Sequence, residues 1–162
     1  MFREMRRKKQ QLSEAACFEI LKKNTAGVLA VHGDDGYPSA VPLSYVYTDG
    51  ALYIHCAKSG HKIDAIRRSD KISFCIVDQD QIVPEKYTTY FRSVIVFGRA
   101  IILEEQEEIR RAIEALAIKY HPTDAEANRN AAITRELHAL CMVKLEIEHM
   151  TGKQARELFQ RS

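Results

Sequence analysis

Apolar positions in this chain switch between two rhythms, and the switches mark its elements. After Leu12-Ser13-Glu14, Cys17, Ile20 and Leu21 recur at helical spacing. Ser13 is a good cap, Leu12 staples onto Cys17, Lys22 and Lys23 suit the C-terminal turn, and Asn24 is expected to leave it in a left-handed conformation. Residues 26–31 then form a continuous apolar run closed by Gly33-Asp34-Asp35-Gly36, which reads as a first strand and its turn. Residues 40–47 are β-branched and aromatic, and Thr48-Asp49-Gly50 folds 51–56 back on them as a hairpin. In this third strand Leu52, Ile54 and Cys56 share one face, while Tyr53, His55 and Ala57 share the other. Pro38 and Pro42 cannot donate to a ladder, so the second strand is expected to break near Pro42 and leave backbone groups free to meet a ligand.

Further along, 61–68 reads as a short helix held by Ile63 and Ile66, 71–77 as a fourth strand, and the polar stretch 78–86, with Pro84, as a loop. Residues 87–103 form a long fifth strand in which Gly98 marks a bulge or sharp bend. Helical period returns over 105–120, with Ile109, Ile113, Leu116 and Tyr120 on one stripe. Pro122 ends it, and 125–140 forms a weaker helix. Residues 141–148 alternate as a sixth, closing strand, and 152–162 carry a C-terminal helix. Helices between successive strands, which a doubly wound sheet requires, are missing. The pattern predicts a mainly β (α+β) fold: a six-stranded antiparallel barrel with peripheral helices, in one domain over 1–162.

Composition narrows the picture only slightly. The 162 residues are 46% apolar and 28% charged with a net charge of +2, which suits one domain burying roughly 70% of its unfolded surface. Arg3, Arg6, Arg7, Lys8 and Lys9 make the segment 1–11 a basic arm. It lacks the interleaved aromatics of a nucleic-acid interface and reads as a solvated arm or one lying on a partner subunit. No apolar run approaches the ~20 residues of a membrane span, and no secretory h-region follows the basic segment. Cys17, Cys56, Cys75 and Cys141 lack a CxxC pair and read as buried, reduced thiols. A cytoplasmic protein without nucleic-acid or membrane partners is expected.

The candidate chemistry lies in Lys58-Ser59-Gly60-His61-Lys62. There a glycine frees the backbone, and two potentially cationic side chains stand where a helix begins and its N–H groups lack partners. No dinucleotide or nucleoside-triphosphate glycine motif occurs. His32, His55, His61, Cys56 and Cys75 match no zinc spacing, so no metal is expected. Cys56 and His55, adjacent on a strand, point to opposite faces and cannot act as a nucleophile and its base. Tyr45, Tyr47, Tyr53, Tyr87 and Tyr90 read first as core. With the His61/Lys62 corner they also suit a flat aromatic cofactor that ends in a phosphate.

Five separated blocks carry a family resemblance: MFREMRRKKQQL, HGDDGYPSAVPLSYVY, HCAKSGHKIDAI, DQDQIVPEKYTTYFRSVIVFGRA and EHMTGKQA. In these the chain resembles the flavin-binding split-barrel proteins related to pyridoxamine 5′-phosphate oxidase, and among them the 5-nitroimidazole resistance (Nim) proteins. The resemblance implies a split-barrel homodimer with one FMN in each of two grooves at the subunit interface. By position, the backbone of Val41, Pro42, Leu43 and Ser44 would run beside the isoalloxazine. His55, Cys56 and Ala57 would line the ribityl side, His61 and Lys62 would bind the phosphate, and Ser93 with Tyr90 would approach the ring.

Pyridoxamine-phosphate oxidases proper carry an arginine-rich, tryptophan-containing C-terminal block. This chain has no Trp and ends in KQARELFQRS, so vitamin B6 synthesis is not expected. The implied chemistry is two-electron reduction of a nitroimidazole or related nitroaromatic. An imidazole titrates near neutrality, so His55 is the candidate proton or hydrogen-bond donor to the nitro group, or else a residue that only hydrogen-bonds within the barrel. The reading from a different class is a flavin- or haem-binding protein without turnover, for storage or sensing, with His149 as an axial ligand.

Overall fold

The Ser13 hydroxyl accepts a hydrogen bond from the Ala16 N–H at 3.2 Å and opens helix α1, Glu14–Lys23. Asn24 leaves the helix extended rather than left-handed. Its side-chain amide turns back instead, donating to the Ile20 carbonyl at 2.9 Å and to Asp78 at 2.7 Å. The computed structural model describes residues 1–159. The strands are β1 Ala26–His32, β2 Pro38–Ser44, β3 Val46–Thr48, β4 Ala51–Ala57, β5 Lys71–Val83, β6 Thr88–Ile102 and β7 Leu140–Gln154. The helices after α1 are α2 His61–Arg68, α3 Gln106–Tyr120, α4 Glu126–Glu136 and the single turn α5 Arg156–Phe159. Among the described residues no helix is long and apolar enough to cross a membrane.

All seven strands form one antiparallel sheet in the order β2-β1-β5-β6-β7-β4-β3, so the expectation of six strands is corrected. The extra strand arises because residues 40–47 are divided at Tyr45, not at Pro42. Pro42 lies within β2 opposite Val28. There β2 is an edge strand, and its second edge needs no N–H from proline. Tyr45 breaks the run because three contacts draw it inward. Its N–H donates to the Thr25 carbonyl at 3.0 Å, its fully buried phenol donates to the Leu21 carbonyl at 2.8 Å, and its ring meets Phe74 edge-on at 5.2 Å.

Since β2 and β3 are the two ends of the sheet and one residue joins them, the sheet is coiled until its edges meet at Tyr45. It is not hydrogen-bonded shut. Leu29, Leu52, Phe74, Val94 and Leu145 fill the interior, with Leu21 of α1 and Ile63 of α2 packed among them. A second cluster sets Ala112 and Leu116 of α3 against Tyr53 and Met142 on the other face of β4 and β7.

Two further expectations change. Residues 78–83 continue β5 rather than forming a loop, because the register merely shifts between Val77 and Gln79 and then resumes. Asp78 sits at that irregularity with its side chain 1% exposed, bridged by Lys23 at 2.8 Å and Arg92 at 3.3 Å. Burial pushes its carboxyl up, but hydrogen bonds from Lys23 and Asn24 and the charges of Lys23 and Arg92 outweigh this and hold it below the usual range. The closing strand runs on to Gln154, so 152–154 are strand and helix begins only at Arg156; residues 160–162 of the expected C-terminal helix lie outside the described residues. The irregularity at Gly98 is present, yet the extra residue, Glu148, lies on β7. A Cβ at Gly98 would overlap the Glu146 carbonyl oxygen, so the glycine is what lets β7 approach.

Candidate cofactor site

The hairpin of β3 and β4 pairs Val46 with Tyr53 and ends there. Continued backwards, that register would set Ser44 opposite His55 and Pro42 opposite Ala57. Instead the chain swings at Tyr45 to pair with β1, so β2 and the last residues of β4 diverge. Each presents an edge with no strand partner, a row of backbone N–H and C=O groups open to a ligand. Val41, Pro42, Leu43 and Ser44 therefore lie on the outer edge of β2, and His55, Cys56 and Ala57 on the part of β4 beyond its pairing with β3.

Helix α2 follows β4 and reaches back to the β1–β2 turn. Arg68 donates to Asp34 at 2.7 Å and to the His32 carbonyl at 3.3 Å, and His61 Nδ1 lies 3.3 Å from Asp34. Gly60 precedes the helix at φ 123°, a conformation L side chains avoid, and among the described residues no side chain caps it. The first-turn N–H groups and the half-buried Lys62 thus stay available to an anion. Lys62 lies close enough to Cys56 to lower its thiol pKa. Burial, the larger effect, pushes that thiol up to about 11.

His61 is less free than the sequence implies, since its Nδ1 faces a carboxylate. The hydrogen bond from Arg68 and the Arg68 charge, with His61 adding less, hold Asp34 below the usual range. Sequence reasoning missed Asp34 and Arg68. Asp34 reads locally as a turn residue, and only the crossing of α2 reveals its partners.

A cavity of about 360 Å³ opens beside His55, Cys56 and Ala57 and is roofed by Ile113, Leu116 and Ile133 of α3 and α4, with Tyr120 and Glu136 also lining it. Tyr53 and His55 do share the face under α3, as the alternation implies. Cys56, on the barrel side, reaches the same cavity because β4 ends there. Among the described residues no Lys or Arg lines it. Its volume and apolar walls suit a small uncharged molecule rather than a phosphate.

The other two predicted residues lie on β6, away from the cavity-lining residues in the ladder register. Ser93 pairs with Lys153 while His55 pairs with Met142. The intervening length of β7 corresponds to about 36 Å of extended strand. Tyr90 is 2% exposed, packs with Ala155 and Leu158, and accepts a hydrogen bond from Lys86 at 2.9 Å. His149 stacks on Phe2, ring centroids 4.6 Å apart, across from Phe97. Among the described residues no cluster of three His, Cys, Asp or Glu is placed to hold a metal ion.

A coiled antiparallel sheet whose two end strands part at a single residue defines a split barrel. The chain belongs to the pyridoxamine 5′-phosphate oxidase family, whose profile matches residues 13–154. A conserved hypothetical protein of Mycobacterium tuberculosis superposes with a TM-score of 0.83 at 22% identity, over 96% of this chain and 93% of that one. A Bacteroides thetaiotaomicron protein provisionally described as a 5-nitroimidazole antibiotic resistance protein gives 0.73 at 20% identity, over 88% and 85%. An FAD-binding protein of Mesorhizobium loti gives 0.64 at 25% identity, over 90% and 97%. No curated protein matches the chain in sequence.

Proposed function

We propose that this protein is an FMN-dependent oxidoreductase of the nitroimidazole-resistance type, working as a homodimer. The observation that carries the reading is the start of α2 at Gly60, which no side chain among the described residues caps, with Lys62 beside it, directly after the part of β4 that extends past β3. These groups fit a flavin phosphate and the polar edge of its ring. The family, the sequence blocks shared with Nim proteins and the FAD named for the Mesorhizobium loti protein support a flavin. Bound there, FMN supplies two-electron chemistry. Lys62, His61 and the α2 N–H groups hold its phosphate, and Val41 to Ser44 and His55 to Ala57 flank the rest.

The placing of Ser93 eleven β7 positions from the partner of His55 in the ladder supports a second subunit, which would bring its own Ser93 and Tyr90 to this groove. So does the outer sheet face, where Val28, Val77, Ile95 and Phe97 are 36–59% exposed. The 360 Å³ cavity receives the small nitroaromatic substrate, and His55 on its wall donates a hydrogen bond or proton to the nitro oxygen.

The test is anaerobic spectroscopy of the purified protein. The expected result is a flavin spectrum that bleaches with NADH or NADPH and returns when a nitroimidazole is added. His55→Ala should keep its flavin but lose turnover at least tenfold. A colourless protein that takes up no FMN overturns the flavin reading, a Soret band moves it to haem, and undiminished turnover in His55→Ala removes the role of that residue.

A further inference from the structure

Four cysteines are spread over the sequence, yet the sheet sets two of them face to face. In the β4–β7 ladder Cys56 pairs directly with Cys141, in register with Ile54 opposite Val143 and Leu52 opposite Leu145. Directly opposed residues on antiparallel strands share a face, with Cα atoms about 4.5–5.5 Å apart. That is within the range a disulfide spans. Both side chains pack against the barrel core, both are half-buried, and both are free thiols. The Cys141 Sγ also makes a long contact to the Met142 carbonyl at 3.9 Å, and Cys141 stands close enough to Cys56 to add to the rise in the Cys56 thiol pKa that burial mainly causes. A metal bridging the two thiols lacks a third ligand among the described residues.

We propose that Cys56 and Cys141 form a reversible cross-strand disulfide, a redox modification site that ties the end of β4 to the start of β7. The reaction is exchange with a low-molecular-weight disulfide. One protein thiolate attacks it, forming a mixed disulfide and expelling one small thiolate. The second protein thiol loses its proton, attacks the protein-side sulfur and expels the other. Two protein thiols are oxidised to one S–S bond, and the small disulfide is reduced to two thiols that take up the two protons. Cys56, whose thiol burial keeps protonated, suits the second, intramolecular step. There the opposed geometry supplies a high effective concentration.

The other two cysteines are internal controls. Cys75 faces Val28 and Ile95 across its two ladders, and Cys17 lies against Gly152 within the core. Neither has a thiol opposite it. The bond would fix the wall that carries His55, Cys56 and Ala57. Its formation does not depend on which cofactor the cleft holds.

The test treats the folded full-length protein with oxidised glutathione, traps free thiols with iodoacetamide and maps peptides by mass. The expected result is a cross-linked peptide pair holding Cys56 and Cys141, two hydrogens lighter than the sum of its parts. Cys17 and Cys75 should be alkylated, and dithiothreitol should restore all four thiols. Cys141→Ser should abolish the cross-link while Cys75→Ser leaves it intact. Circular dichroism establishes that each variant is folded, and the wild-type map decides the matter if one is not. Alkylation of all four cysteines in the treated native protein, or a cross-link between other cysteines, overturns the proposal.

Discussion

Replacing Tyr45 with phenylalanine removes one oxygen from the residue at which the barrel parts. Helix α1 ends at Lys23, so the Leu21 carbonyl is among the last four, which have no partner within the helix; the Tyr45 phenol donates to it at 2.8 Å. The phenol is fully buried, and burial, followed by the nearby Asp78 charge, raises its pKa and keeps it a donor. Loss of a buried hydrogen bond that strands its acceptor costs about 1–2 kcal/mol. In a chain of this length that corresponds to a fall in Tm of about 2–8 °C. Tyr45→Ala also deletes the ring packed on Phe74 and under the Lys119 ammonium, which lies 4.4 Å from its centroid. The expected cost is then about 4–5 kcal/mol. Urea denaturation followed by circular dichroism measures both. If Tyr45→Phe matches wild type within about 0.3 kcal/mol, the hydroxyl does not hold the α1 terminus and this account of the break at Tyr45 fails.

Gly98→Ala drives a methyl group into the Glu146 carbonyl at the β6–β7 bulge and should cost about 2–4 kcal/mol in urea denaturation; a neutral result would show that β7 can move away. Asp78→Asn should cost about 2–3 kcal/mol at neutral pH, since it unpairs Lys23 and Arg92. The Asp78 carboxyl is held below its unfolded value, so its contribution is complete above the ordinary carboxylate range and is lost as pH falls through the folded value. The gap between wild type and Asp78→Asn should therefore close under acid, and a constant gap would place the effect elsewhere. Asp34→Ala frees His61 and should tighten FMN binding a few-fold, whereas weaker binding would show that Asp34 positions the corner.

The alternation of Leu52, Ile54 and Cys56 against Tyr53 and His55 makes both faces of β4 legible, because strand periodicity depends on the residues alone. The corner at Gly60 is legible for a similar reason: its signal is local, a glycine able to take a positive φ immediately before a helix start. The break at Tyr45 is not. Nothing local separates Tyr45 from Tyr47; the difference is a carbonyl at the end of α1 and Thr25 nearby. Pro42 misleads because an edge strand tolerates proline, and 78–83 misleads because a hairpin extending beyond the barrel is polar without being a loop. The pairing of Asp34 with His61 and the opposition of Cys56 and Cys141 arise only when distant elements cross.

The central claim is that the cleft holds a flavin by its phosphate at the start of α2. The most direct test is equilibrium binding of FMN and of riboflavin, which lacks the phosphate, to wild type and to Lys62→Ala. FMN should bind wild type at least a hundredfold more tightly than riboflavin, and Lys62→Ala should remove most of that difference while leaving riboflavin binding unchanged. Equal affinity of wild type for the two molecules, or an unaltered preference for FMN in Lys62→Ala, would contradict it.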